Sequence, residues 1–292
     1  MKDQILRAYN SEVRVVAIRT TETVEEARAR HGTSATATAA LGRTMTGALL
    51  LASNLEEEKE AVSVTISGDG PLGKIAVDAS PTGGVRGYVD NPFADAPSKN
   101  GKLDVGTIVG QGSLTVTRLL SNGENFSGST SLVSGEIAED FTHYLLSSEQ
   151  TPSMMSLGVL INPDLSVQSA GGFFIQALPG ASDETLERIE KNVFILPPIS
   201  QMIAEGNTLE EIISFIFGGL PYESLEAQPV GFFCSCSREK MEQGLISLGK
   251  DELRTIANED DKTELRCHFC EETYDFTSQE IAKLADEIQS KN

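Results

Sequence analysis

All four cysteines of this 292-residue chain come after residue 233, and they come in two tight pairs. The first pair is Cys234-Ser235-Cys236; thirty residues later comes Cys267-His268-Phe269-Cys270. A secreted disulfide scaffold spreads its cysteines through the chain and carries an export signal. The start, Met1 to Arg7, has neither an apolar h-region nor a small-residue cleavage site, so no secretory leader is expected. In a reducing cytoplasm, two close cysteine pairs point to a metal.

Zinc is the expected ion. It takes a tetrahedral set of soft thiolates, and two short pairs let two turns each supply two ligands to it. Cys234, Cys236, Cys267 and Cys270 are therefore the expected ligands, with His268 as a neighbour, since four thiolates complete the shell. The first pair is C-x-C rather than C-x-x-C, which departs from a standard zinc ribbon. A closed shell leaves no position open for substrate, so hydrolytic zinc catalysis is disfavoured. Its sulfurs stay deprotonated and open to oxidants. On chemistry alone, a passive structural site is favoured over a redox switch.

The rest of the chain narrows the class. Lys and Arg number 23 against 43 Asp and Glu, a formal charge of −20, and residues 181–292 carry −13 of it. Such acidity argues against a nucleic-acid or anionic-membrane surface, since both need clustered positive charge. No apolar run approaches the roughly 20 residues that span a bilayer.

Residues 1–180 hold 20 of the 26 glycines and several alternating segments. Residues 61–67, 74–79, 84–89 and 113–117 alternate as half-buried strands do, and 172–176 reads as a buried strand. Their short connections favour antiparallel hairpins. Helices are expected after a Thr23/Glu26 capping box, over 34–53, and over 136–147, where Ile137, Phe141, Tyr144 and Leu145 form one stripe. The expected fold is α+β: a mainly antiparallel sheet domain over 1–180, a helical linker over 181–230, and a zinc domain over 231–292 with helices at 237–248 and 250–257. In the linker, Thr208 and Glu211 form a capping box ahead of Leu209, Ile212, Ile213 and Ile216. That stripe reads as core at rest and as an exposed apolar patch should the zinc domain melt. Behind the second cysteine pair, Thr277 and Glu280 cap a last helix with Ile281, Leu284, Ala285 and Ile288 on one face.

Two features carry little functional weight. Gly68-Asp69-Gly70-Pro71-Leu72-Gly73 matches G-x-G-x-x-G, but Pro71 removes a donor and a strand follows, so it reads as a hairpin turn. Glu136, Glu139 and Asp140 have no adjacent His, Cys or metal motif and read as a solvated helix face. No catalytic residue is expected, and the chain is not read as an enzyme.

Three stretches together resemble heat-shock protein 33, a family of redox-regulated bacterial holdase chaperones. They are residues 135–152 (GEIAEDFTHYLLSSEQTP), residues 171–181 (GGFFIQALPGA) and the C-x-C plus C-x-x-C pairs, in the right order along essentially the whole chain. The resemblance implies a sheet domain, helical linker and zinc domain, with zinc held by all four cysteines in a reduced form of little activity. It further implies that oxidation releases zinc and forms Cys234–Cys236 and Cys267–Cys270 disulfides. The zinc domain and linker then lose structure, and a homodimer holds unfolded or partly folded client proteins without ATP in the cytoplasm. The linker stripe Leu209, Ile212, Ile213 and Ile216 is the expected client-binding element. The resemblance thus reverses the chemical preference for a passive site. Two other classes stay open: a zinc-stabilised interaction module without redox role, and an enzyme working near Glu136–Asp140.

Overall fold

A computed structural model describes residues 1–99, 101–259 and 261–287. The chain divides into two compact units, 1–233 and 234–292.

The larger unit is built on two antiparallel sheets. Strands β1 (Gln4–Tyr9) and β2 (Val13–Arg19) form a hairpin, followed by α1 (Thr21–His31) and α2 (Ala35–Ala52). A meander of β3 (Ala61–Gly68), β4 (Lys74–Ala79) and β5 (Gly84–Val89) comes next, then a short α3 (Val105–Val109), β6 (Gly112–Leu119) and β7 (Asn125–Ser131). Helix α4 (Ala138–Ser147) leads to β8 (Ser153–Ile161) and β9 (Val167–Ala177). Helices α5 (Asp183–Phe194), α6 (Ile199–Ala204) and α7 (Leu209–Phe217) follow, with three two-residue strands, β10 (Glu223–Ser224), β11 (Gln228–Pro229) and β12 (Gly231–Phe232), closing the unit. One sheet runs β10-β1-β2-β9-β8, with β11 also on β1; the other runs β12-β5-β4-β3-β6-β7. Every pairing is antiparallel except β12 with β5. The α+β architecture expected from the alternating segments is therefore present, and 172–176 lies inside β9.

Helix α2 packs against both sheets, and sixteen of its eighteen residues are buried. Its small residues permit this: a Cβ on Gly47 would sit 2.4 Å from the Phe141 ring, and one on Gly42 would sit 2.6 Å from Val24. The buried threonines return their hydroxyls to the helix itself, Thr44 to the Ala40 carbonyl and Thr46 to the Gly42 carbonyl, each at 2.8 Å. On the opposite face of the β2–β9 sheet lie α5, α6 and α7, whose apolar faces form a second core with Leu6, Val15, Ala17 and Phe173. The stripe Leu209, Ile212, Ile213 and Ile216 is wholly inside that core. The Thr208/Glu211 capping box forms as the sequence reads: Thr208 accepts from the Glu211 amide and Glu211 from the Thr208 amide. The stretch 181–230 thus contains these three helices and then β10 and β11, which pair with β1.

Two sequence expectations are corrected. Helix α1 begins two residues before the supposed Thr23/Glu26 capping box, after Thr20. Thr23 is buried, and both its amide and its hydroxyl donate to Asp3, at 2.7 Å each. A carboxylate twenty residues upstream caps the helix, which no local pattern reveals. Asp140 is likewise no solvated acid: it is fully buried, and its carboxylate accepts from the amides of Val133, Ser134, Gly135 and Ile137. The Gly68–Gly73 segment is a hairpin turn between β3 and β4, with Gly73 at φ +70°.

The smaller unit contains α8 (Arg238–Ser247), α9 (Lys250–Glu259), the hairpin β13 (Lys262–Arg266) and β14 (Thr273–Thr277), and α10 (Ser278–Glu287). Thr277 and Glu280 exchange the reciprocal hydrogen bonds of a capping box. Among the described residues, Leu245, Leu253, Phe276, Ile281 and Ala285 form its buried apolar cluster, with Met241, Ile256, Ala257, Leu265, Tyr274 and Leu284 packed partly against it. Ile288, expected on the same face, lies outside the described residues.

Candidate metal centre

Each cysteine pair is held by its own local device. Cys234 and Cys236 lie in the irregular segment ahead of α8. Ser237 caps that helix by accepting from the Lys240 amide, and the Lys240 ammonium returns to the Ser235 carbonyl at 2.6 Å. Cys267 and Cys270 occupy the β13–β14 turn, where the Glu271 amide donates to the Cys267 carbonyl at 2.8 Å and the Cys267 amide to the Glu272 carbonyl at 2.9 Å. Glu271 takes a left-handed conformation, φ +60°, to make that turn.

Arg238 joins the two devices. Its guanidinium donates to the Asp275 carbonyl and pairs with Glu280, both at 2.7 Å, and stacks 4.2 Å from the Phe276 ring centroid. The start of α8 is thereby fixed against the hairpin, and the first cysteine pair with it.

All four sulfurs then lie within 4.8 Å of one another. Cys234 Sγ is 3.8 Å from Cys267 Sγ, and Cys236 Sγ is 3.3 Å from Cys270 Sγ. A zinc–sulfur bond of about 2.3 Å in a tetrahedron places sulfurs about 3.8 Å apart, so the donor set has the spacing as well as the softness for such an ion. None of the four is joined in a disulfide. Burial pushes the Cys267 and Cys270 thiols above their ordinary value. A divalent cation would reverse that for these two thiols, and binding it would release protons. His268 is exposed and not among the four convergent donors.

One residue of this site escaped the sequence reading. The Tyr274 hydroxyl on β14 donates to Cys236 Sγ at 3.2 Å, and that contact raises the tyrosine's own pKa. A tyrosine four residues beyond a cysteine carries no motif; only the hairpin register brings it round. Among the residues read as possible chemistry, Glu136 lies far along the sequence in the other unit, where it pairs with Arg43 at 2.7 Å.

Fold and site define a two-unit α+β protein whose small C-terminal unit is built around a four-thiol cluster able to hold a metal ion. A model of the Hsp33 protein family matches residues 3–277, and the chain belongs to that family. It is similar to the 33 kDa chaperonin of Desulforamulus reducens, 49% identical over 295 residues covering 100% of both chains. The 33 kDa chaperonin of Shouchella clausii is also 49% identical, over 296 residues and 100% of both. Among solved structures, the 33 kDa chaperonin (heat shock protein 33 homolog) of Thermotoga maritima superposes with a TM-score of 0.90 at 36% identity over 100% of both chains. No helix among the described residues is long and apolar enough to cross a membrane.

Proposed function

We propose that this chain is a redox-controlled holdase, a chaperone rather than an enzyme, that keeps unfolded or partly folded client proteins from aggregating without consuming ATP. The observation carrying the reading is the four-sulfur cluster in a unit with so little apolar core. Family membership and relatives named as chaperonins support the chaperone part.

Cys234, Cys236, Cys267 and Cys270 would hold zinc as thiolates, and zinc would supply a cross-link beyond the small apolar cluster seen among the described residues. Structural zinc is worth about 10–16 kcal/mol of apparent binding energy in small folds. Oxidation removes the ligands. Each pair of thiolates gives up two electrons to one hydrogen peroxide, which takes up two protons and leaves as two waters while a sulfur–sulfur bond forms. The proposed bonds are Cys234–Cys236 and Cys267–Cys270, with release of zinc. Residues 231–292 are read as the switch domain, 1–180 as the sheet domain and 181–230 as the linker. Leu209, Ile212, Ile213 and Ile216, buried at rest, are the client-binding residues once their surroundings loosen. A cytoplasmic homodimer is the expected form.

Native mass spectrometry of the reduced chain tests the site. One zinc per chain is expected, lost after peroxide to leave a chain four hydrogens lighter than the zinc-free reduced protein, and peptide mapping should place both disulfides within the pairs. A chain that keeps zinc under peroxide would be a zinc-stabilised interaction module instead.

A further inference from the structure

The larger unit has a groove of about 680 Å³ along the outer edge of β8. Residues Ser156 to Ile161 form its floor, Ala35 and Arg43 of α2 lie on one side, and Pro198 to Gln201 at the start of α6 lie on the other. Both walls approach closely because of glycines: a Cβ on Gly158 would sit 2.9 Å from Ser200, and Gly42 of α2 lies against Val159.

Backbone direction on β8 follows from its neighbours. The Ala170 carbonyl accepts from the Thr20 amide, so Ala170 of β9 faces β2. Its partner across the pair, Val159, therefore turns its amide and carbonyl away from β9, and Leu157 does the same two residues earlier. The Met155 amide follows the same rule and finds the Thr142 hydroxyl at 3.1 Å. Leu157 and Val159 have no such partner among the described residues, and their polar backbone groups face the groove.

Exposed strand edges are usually guarded by charge, proline or a covering element. Strand β8 contains no charged residue and no proline. Among the described residues, the charged groups lining the groove are Arg43, which already pairs with Glu136, and the cation Lys102, in a chain where acids outnumber bases 43 to 23. An extended apolar segment with an occasional acid fits both the uncharged backbone edge and Lys102. We infer that the β8 edge is a docking site for an extended apolar segment of a client, added as a further strand. The identity of this occupant rests on the holdase reading above. Main-chain hydrogen bonds recognise any extended chain, which suits many unrelated clients.

The test uses the full chain oxidised by peroxide, and a labelled alternating Val/Thr peptide of about ten residues carrying one glutamate. Peptide is expected to slow hydrogen exchange at the Leu157 and Val159 amides. Leu160→Lys, which places a guarding charge on this edge, should weaken peptide binding about tenfold with unchanged circular dichroism. Binding that leaves the Leu157 and Val159 amides unprotected would overturn the inference. So would protection already present without peptide and lost on dilution as a dimer dissociates, since a second copy would then occupy the edge. The groove is read from those amides alone. Failure of the oxidised wild-type chain to suppress aggregation would instead remove the holdase reading.

Discussion

The phenolic hydroxyl of Tyr274 points at Cys236 Sγ from 3.2 Å. If Cys236 ligates a metal, this hydrogen bond would strengthen binding by orienting the sulfur and offsetting part of the charge of four thiolates, and by withdrawing electron density it would slow attack by oxidants. Tyr274→Phe should weaken zinc affinity about tenfold and speed peroxide-driven zinc release, read with a chromogenic chelator. Equal affinity and equal release rate in the variant would show that the contact does nothing.

Asp140 holds the 133–137 loop by accepting four amides, at distances from 2.7 to 3.3 Å. Asp140→Asn keeps the shape but sets an amide group against amide donors. The expected loss is about 3 kcal/mol of stability, as buried donors lose a charged acceptor. Urea unfolding of the larger unit measures it, and a loss near zero would contradict the assignment.

Glu12 caps α5 from outside, accepting from the Ser182 amide and the Thr185 hydroxyl at 2.8 Å each. The Ser182 hydroxyl also donates to Glu12, at 2.5 Å, and these three bonds, that one first, hold its pKa below the ordinary 4.5. A depressed carboxylate stabilises the fold above its unfolded pKa, and that stability is lost as pH falls through the lower native value. Exchange protection of α5 should therefore hold at neutral pH and fall below 4.5, and Glu12→Gln should flatten the dependence. A wild-type α5 whose protection ignores pH in that window would refute it.

Leu209, Ile212, Ile213 and Ile216 are at most 3% exposed. If oxidation loosens this region, amides over 208–217 should exchange faster after peroxide; unchanged exchange would remove the stripe as a client-binding element. Of the two proposed disulfides, Cys234–Cys236 would close the smaller ring and should reduce first under graded dithiothreitol. A more persistent Cys234–Cys236 bond would contradict this.

What the sequence revealed follows from how local each signal is. The meander β3–β4–β5 was legible because its strands bury one face and alternate in every second residue. Strand β2 was not: Val13–Arg19 is central and buried on both faces, so it shows no alternation. Caps formed within four residues, such as Thr208 with Glu211, were readable; caps supplied from afar, Asp3 to Thr23 and Glu12 to Ser182, were not. The four cysteines announced a common site by their spacing. Tyr274 and Arg238, which shape and anchor that site, belong to it only through the β13–β14 register and the packing on Phe276.

The most direct measurement is light scattering from a heat-unfolding client protein, with this chain added reduced and zinc-loaded or oxidised beforehand by peroxide. Suppression by the oxidised form alone is the predicted result and makes the cysteine cluster a switch. Equal behaviour of the two forms, whether both suppress or neither does, would contradict it.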